Sequence, residues 1–184
     1  DSNAIRHKVV KQGDVYRIMV YDGVECQMLA ASTPNAGIWS KQTISLPFVP
    51  QVPSLTATPD ALYVLSTDGT LYASPDGLEW VSCGVTWHSL LGAYGDRVLG
   101  VMAGADGYYH DEYPRSADFT ATPIEAGFPV SHSSDMIQTD NTWTISQQAM
   151  IVGGYDANGQ LLRDVWGFDG HHWGKINNIH TRTL

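Results

Sequence analysis

The stretch Asp60-Ala-Leu-Tyr-Val-Leu-Ser-Thr-Asp68-Gly69 is a short run of β-forming residues that ends in an Asp-Gly dipeptide. The stretch Asp14-Val-Tyr-Arg-Ile-Met-Val-Tyr-Asp22-Gly23 repeats its length and the positions of both Asp residues and the Gly. Residues 96–107 contain the same motif with two residues added, and residues 148–159 contain a less similar copy. A β-rich run that ends in a turn dipeptide is typical of a hairpin. The sequence therefore predicts the same hairpin in each of four repeated units.

A turn that leads to an aromatic residue follows each hairpin. Thr33-Pro-Asn-Ala-Gly-Ile-Trp39 parallels Ser74-Pro-Asp-Gly-Leu-Glu-Trp80, while residues 116–119 and 168–173 hold the same place in the other two units. A further short strand is predicted before each hairpin. These first strands are expected at Lys8–Val10, Ser54–Ala57, Ser89–Ala93 and Trp143–Ser146. Each unit is therefore predicted to contain four strands.

The repeated units predict a particular all-β architecture. A four-stranded antiparallel sheet of about 40 to 50 residues cannot bury both of its faces alone, but sheets stacked radially around an axis bury one another. The recurring Trp can fill the space between two such sheets. The alternative is a β-sandwich, but that fold gives no reason for the same order of sequence motifs to occur four times. We therefore expect residues 1–184 to form a single β-propeller domain, or a fragment of one, with four-stranded antiparallel blades in units at about 5–45, 53–86, 87–124 and 130–180.

The number of blades in the complete ring stays open. Four blades lie at the lower end of the known range, and larger propellers with six to eight blades are well represented. The favoured interpretation is a piece of a larger six-to-eight-bladed ring. A compact four-bladed ring and a ring completed by a second copy are the alternatives. Because an open row exposes two sheet faces, self-association that completes or covers the propeller is a further expectation.

Two units resemble known propeller repeats. The combination of Ile151-Val-Gly-Gly154, Asp164-Val-Trp166-Gly-Phe168 and Trp173 resembles a kelch repeat. The segment Ser74–Trp80 resembles the Asp-box turn of sialidase-type propellers, and residues 128–166 are similar to Bacteroidales propeller lipoproteins of unknown function. The resemblance implies an extracytoplasmic binding protein in the periplasm or at the surface of a bacterium. Fold resemblance alone does not assign a function.

The composition and charge of the chain argue against two classes of partner, nucleic acids and the membrane interior. The chain has 184 residues with a formal net charge of −9, and this sign argues against a nucleic-acid partner. No apolar run approaches the eighteen or so residues of a membrane span, so no membrane insertion is expected. Cys26 and Cys83 are predicted to be buried or half-buried free thiols, with a disulfide as the alternative.

No cofactor or metal site is predicted. Adjacent side chains on a strand point to opposite faces, which argues against a metal shared by His171 and His172. Asp156-Ala-Asn-Gly159 begins like a calcium loop, but it lacks the later Glu that such a loop needs and is better interpreted as a hairpin turn.

The segment Gly107-Tyr-Tyr-His-Asp-Glu-Tyr-Pro-Arg115 holds the candidate ligand-binding residues. Aromatic rings with hydroxyl groups beside acids suit recognition of a sugar or a protein. The candidates are Tyr108, Tyr109, His110 and Tyr113. The alternative is an ordinary third strand of the third unit with alternating exposure.

The sequence favours a non-enzymatic binding module that presents loops to a protein or a glycan, since no catalytic constellation is found. The alternative is a fragment of a sialidase-like, glycan-active enzyme whose catalytic residues lie mostly outside this chain. Such an enzyme needs clustered arginines and an activated Tyr, whereas Glu112 and Tyr113 are adjacent and should face opposite ways. A structural scaffold in a surface complex is a third hypothesis.

Overall fold

The computed structural model describes residues 9–51, 54–130, 136–138 and 149–176. Within these ranges, sixteen strands form four separate antiparallel sheets of four strands each. Strands that are consecutive in the chain are neighbours in each sheet. This arrangement confirms the predicted all-β fold with four-stranded antiparallel blades.

The blades are numbered in chain order. Blade 1 contains β1 (Val9–Gln12), β2 (Val15–Tyr21), β3 (Cys26–Ala31) and β4 (Ser40–Ile44). Blade 2 contains β5 (Thr56–Ala57), β6 (Leu62–Leu65), β7 (Thr70–Ser74) and β8 (Val81–Thr86). Blade 3 contains β9 (Ser89–Tyr94), β10 (Arg97–Gly104), β11 (Gly107–Tyr113) and β12 (Thr122–Pro123). Blade 4 contains β13 (Met136–Gln138), β14 (Ala149–Tyr155), β15 (Leu161–Phe168) and β16 (Trp173–Lys175).

The predicted hairpin turns connect the second and third strands of the blades. The Oδ1 atom of Asp22 accepts hydrogen bonds from the backbone N–H groups of Val24 and Glu25, each at 2.8 Å. In blade 4, the Oδ1 atom of Asp156 accepts from Asn158 at 2.9 Å and from Gln160 at 2.8 Å. An Asp side chain that bonds to the following backbone fixes a tight turn. The segment that begins at Asp156 is therefore a hairpin turn, as the sequence predicted.

Apolar clusters join successive blades face to face. One cluster joins blades 1 and 2, a second joins blades 2 and 3, and a third joins blades 3 and 4. The first strands of successive blades also contact one another. The aromatic residues that close the repeats follow this pattern, because Trp80 packs in the first cluster and Trp173 in the third. Trp39 of blade 1 is only half-buried.

The end blades each present a sheet face that no described blade covers. Val10 of blade 1 packs toward blade 2, whereas its neighbour Val9 points the other way and is 48% exposed. In blade 4, Ile151 packs toward blade 3 and Val152 is 58% exposed. Among the described residues, no buried cluster links blade 4 to blade 1. The packing therefore runs along a row of blades, and the way in which a ring is completed stays a prediction.

The first strand of blade 4 differs from the prediction. Trp143–Ser146 was expected to form it, and this segment lies outside the described residues. The strand that pairs with β14 is β13, which precedes that segment. The prediction followed the β-propensity of Trp, Thr and Ile, whereas pairing across the sheet selected the less conspicuous Met136-Ile-Gln138.

The two cysteines are free thiols, as predicted. Cys26 is buried in the cluster between blades 1 and 2, and Cys83 is half-buried beside the cluster between blades 2 and 3. Burial raises the pKa of each thiol to about 11. Both thiols are therefore protonated near neutral pH and contribute to packing.

Within the described ranges, the structure contains no helix with the length and apolar character of a membrane span.

The connection from blade 2 to blade 3 places Trp87 against the backbone of β10. The Trp87 side chain is 2% exposed, and a Cβ atom added to Gly100 would overlap its indole ring. The pairing of β9 with β10 shifts register between Leu99 and Gly100. Gly100 is therefore required for the close approach of this ring rather than for a turn.

We predict that Gly100→Ala lowers the free energy of unfolding by about 1–3 kcal/mol, because the added methyl group overpacks a buried contact. Urea-induced unfolding monitored by tryptophan fluorescence measures the change. Gly174→Ala is the matched control, since a Cβ atom there meets nothing within 4 Å, and its effect should stay within about 0.5 kcal/mol. Equal stability of Gly100→Ala and the wild type would contradict this packing.

Candidate functional site

Strand β11 carries polar side chains on both of its faces. Alternation along the strand places Tyr108, His110 and Glu112 toward blade 4, and it places Tyr109, Asp111 and Tyr113 toward blade 2. Glu112 and Tyr113 thus face opposite ways, as the sequence predicted. His110, Asp111 and Glu112 are all at most 4% exposed. Because polar groups are seldom buried without hydrogen-bond partners, the partners of these three side chains are described in turn.

A cavity of about 430 Å³ lies where blade 3 meets the turn between β15 and β16 of blade 4. Strand residues and the loop between β11 and β12 form the blade 3 side of its wall, and the turn forms the other side. The residues that line it are Arg97, His110, Glu112, Ser116, Asp118, Phe119, Thr120, Thr122, Gly170, His171 and His172. Several of these residues are exposed, so the cavity is open to solvent.

His110 is the most deeply buried titratable group of the cavity wall. Its side chain is 2% exposed, and its ring centroid lies 5.1 Å from that of Phe168 and 6.1 Å from that of Phe119. Burial lowers the pKa of His110 to about 4, which keeps the imidazole neutral near pH 7. Its Nδ1 atom has no hydrogen-bond partner among the described residues. The imidazole of His110 therefore belongs to the cavity wall, while its unpaired Nδ1 atom is shielded from solvent.

Arg97 and Glu112 form an ion pair beside this imidazole. The Nη1 atom of Arg97 donates to Oε1 of Glu112 at 2.9 Å, and the same oxygen accepts from the backbone N–H of Ser116 at 3.0 Å. The Nε atom of Arg97 also lies 3.5 Å from the Oδ1 atom of Asp96. The Arg97 charge is thus already compensated by carboxylates.

Asp111 forms a second ion pair, on the face of β11 toward blade 2. Arg115 donates from Nε at 2.8 Å and from Nη2 at 2.7 Å, while Trp87 donates from Nε1 at 2.7 Å. Burial alone would raise the pKa of Asp111, but the hydrogen bonds from Arg115 and Trp87 bring it below its ordinary value. The carboxylate therefore fixes the blade connection and the loop that follows β11.

The turn of blade 4 presents two histidines to the cavity. The Oδ1 atom of Asp169 accepts from the backbone N–H groups of His171 at 2.8 Å and His172 at 2.7 Å. Both side chains are exposed, and their ring centroids are 6.4 Å apart. In the described part of the chain, no three His, Cys, Asp or Glu residues are grouped so that they could hold a metal ion.

The four residues proposed from the sequence are separated by the fold. His110 lines the cavity, whereas Tyr108 on the same face stacks near His88 at 4.9 Å between ring centroids. Tyr109 and Tyr113 lie on the opposite face of β11. The sequence reasoning did not propose Arg97, Glu112, Phe119, Thr122 or His172 as ligand-binding residues. Strand pairing within blade 3 brings Arg97, Glu112 and Thr122 together, and only the packing of blade 4 against blade 3 adds His172. No spacing motif in the sequence marks these positions.

We predict that Arg115→Met destabilises the protein by about 3 kcal/mol, because it leaves the buried Asp111 carboxylate without its cation. Adding Asp111→Asn to this variant should recover part of the loss. Lys175→Met is the control, since it breaks the more exposed pair of Lys175 and Asp164 at 2.9 Å and should cost at most about 1 kcal/mol. Equal losses from the two methionine variants in urea unfolding would contradict the assigned role of Asp111.

We predict that His110 contributes an acid-sensitive part of the stability. Its folded pKa of about 4 lies below the ordinary value of 6.5, so protons bind the unfolded chain more readily as the pH falls between these values. Relative to His110→Gln, the wild type should lose about 3 kcal/mol of unfolding free energy between pH 7 and pH 4. Urea unfolding at a series of pH values measures this difference, and parallel pH profiles of the two proteins would rule it out.

A family model agrees with the architecture. Residues 1–184 match the family model described as the DUF6242 beta propeller domain. Among solved structures, the chain is similar to "YCF48 bound to D1 peptide", with 14% identity, a TM-score of 0.40 and 91% of this chain covered. The match spans 65% of the length of that chain. No match is found among curated proteins. Because the family model covers the whole chain, the protein belongs to the DUF6242 beta-propeller family.

Proposed function

We propose that this propeller is a binding module whose ligand occupies the cavity between blades 3 and 4. The observation that carries the proposal is the convergence of polar groups on one cavity open to solvent, where the exposed His171 and His172 lie opposite hydroxyl groups of blade 3. A few polar groups that converge on one cavity can orient a ligand. A cavity of about 430 Å³ is within the usual range for small-molecule sites.

A second, larger opening is less suited to specific binding. It measures about 750 Å³ and lies beside blade 1, between β2, β4 and the following linker. Three of its polar side chains are already engaged, because Glu25 accepts from Thr43 at 3.2 Å and the Tyr21 hydroxyl donates to the Gly23 carbonyl at 2.9 Å. A site that has already paired its polar groups offers little to orient a ligand.

The sialidase-like alternative receives less support. Such an enzyme would need arginines free to bind a substrate carboxylate, yet Arg97 and Arg115 are each paired with a buried carboxylate of this chain. Glu112 and Tyr113 lie on opposite faces of β11 and cannot act as one pair. A non-enzymatic module that binds a protein or a glycan outside the bacterial cytoplasm is therefore the function we propose, with the location resting on resemblance alone.

The test is a binding screen of the full chain against a glycan array and a random peptide library. We expect the wild type to retain a ligand, and we expect His171→Ala/His172→Ala to weaken that binding at least about tenfold through the loss of two polar contacts. His88→Ala is the matched control, because His88 is exposed and lies outside the cavity. Retention of no ligand, or equal retention by the double variant, would overturn the proposal.

A further inference from the structure

The chemical class of the ligand can be inferred from the charges in the cavity wall. Arg97 is compensated by Glu112 at 2.9 Å and approached by Asp96 at 3.5 Å. The buried imidazole of His110 is neutral near pH 7, and Asp118 adds a negative charge to the wall. An anionic ligand would therefore meet no uncompensated cation among the titratable groups fixed in blade 3. Burying a charge without a partner is costly, so this wall disfavours phosphates, sulfates and acidic sugars.

The hydrogen-bonding groups of the wall are mixed. The hydroxyl groups of Ser116, Thr120 and Thr122 can each both donate and accept hydrogen bonds. Hydroxyl groups on a ligand have the same dual capacity and can satisfy such a wall from several directions. A neutral peptide backbone separates its donors from its acceptors, so it matches this mixture less well.

One aromatic ring completes the wall. Phe119 is half-buried, and its ring lies near the imidazole of His110 and beneath the guanidinium of Arg115, at 5.9 Å from the ring centroid. The Arg115 guanidinium lies over one face of the ring, and the C–H groups of a sugar can pack on the part of the ring that is exposed. Polar groups that surround one apolar platform, in a cavity open to solvent on one side, suit the end of a longer chain of sugars.

We propose that the cavity binds the uncharged terminal sugar of a glycan, held by the hydroxyl groups of blade 3 and packed against the exposed part of the Phe119 ring. This inference rests on the proposed binding function. It goes further because it assigns the ligand class and separates neutral sugars from acidic sugars and peptides. Thr122 is the most informative residue for a test, since it is paired directly opposite His110 across β11 and β12.

The test is isothermal titration calorimetry with the full chain, combined with NMR detection of the histidine ring signals. The neutral probes are the methyl glycosides of glucose, galactose, mannose and N-acetylglucosamine. Glucuronic acid, N-acetylneuraminic acid and a capped tetra-alanine peptide are the comparison probes. We expect a neutral glycoside to bind, to shift the His110 ring signals, and to bind about fivefold more weakly to Thr122→Val through the loss of one hydrogen bond. Thr43→Val is the matched control, because Thr43 lies on β4 of blade 1.

The outcomes separate the two proposals. If an acidic sugar or the peptide shifts the His110 signals and no neutral glycoside does, the glycan inference is wrong and the binding function stands. If no neutral glycoside binds, the inference is also wrong, and the array and peptide screen decides separately whether the binding function stands. If a neutral glycoside binds Thr122→Val as strongly as it binds the wild type, the glycoside does not occupy this cavity and the assignment is wrong.

Discussion

Each four-stranded sheet of this protein has two faces to bury, and a neighbouring sheet is what buries them. The strands are too short for a sheet to curl over its own core, so Leu62 and Val64 of blade 2 turn toward blade 1 while Tyr63 and Leu65 turn toward blade 3. All four side chains are at most 6% exposed. Because burial of apolar area is the main favourable term in folding, this face-to-face stacking holds successive blades together.

The contact between blades 3 and 4 combines this apolar stacking with polar groups. Phe168 packs in the apolar cluster, and its ring also closes over His110 at 5.1 Å. On the other face of β11, Asp111 is held by Arg115 and Trp87, which anchors the strand toward blade 2. The strand is thus fixed on one side by a satisfied ion pair and carries an unsatisfied imidazole on the other. A strand fixed in this way is a rigid base for a ligand site.

Most of the fold could be predicted from the sequence, and little of the site. The hairpins and turns are local, so Asp22-Gly23 and Asp68-Gly69 marked them directly, and their repetition indicated the propeller. Blade 4 was the exception, because a first strand as inconspicuous as Met136-Ile-Gln138 becomes recognisable only through its pairing with β14. The site depends on contacts between blades. Of the four residues proposed from the polar and aromatic character of β11, only His110 lines the cavity, and its partners across the junction carry no motif.

The most direct test of the central claim is the measurement of nuclear Overhauser effects between aromatic side chains of blades 3 and 4. The stacking of blade 4 on blade 3 predicts cross-peaks between His110 and Phe168 and between Tyr94 and Phe168. The ring centroids of these pairs are 5.1 Å and 5.5 Å apart. The contact of Phe168 with Trp173 at 5.0 Å lies within blade 4 and serves as the internal reference. Cross-peaks within blade 4 without any between the two blades would contradict the stacking on which the cavity depends.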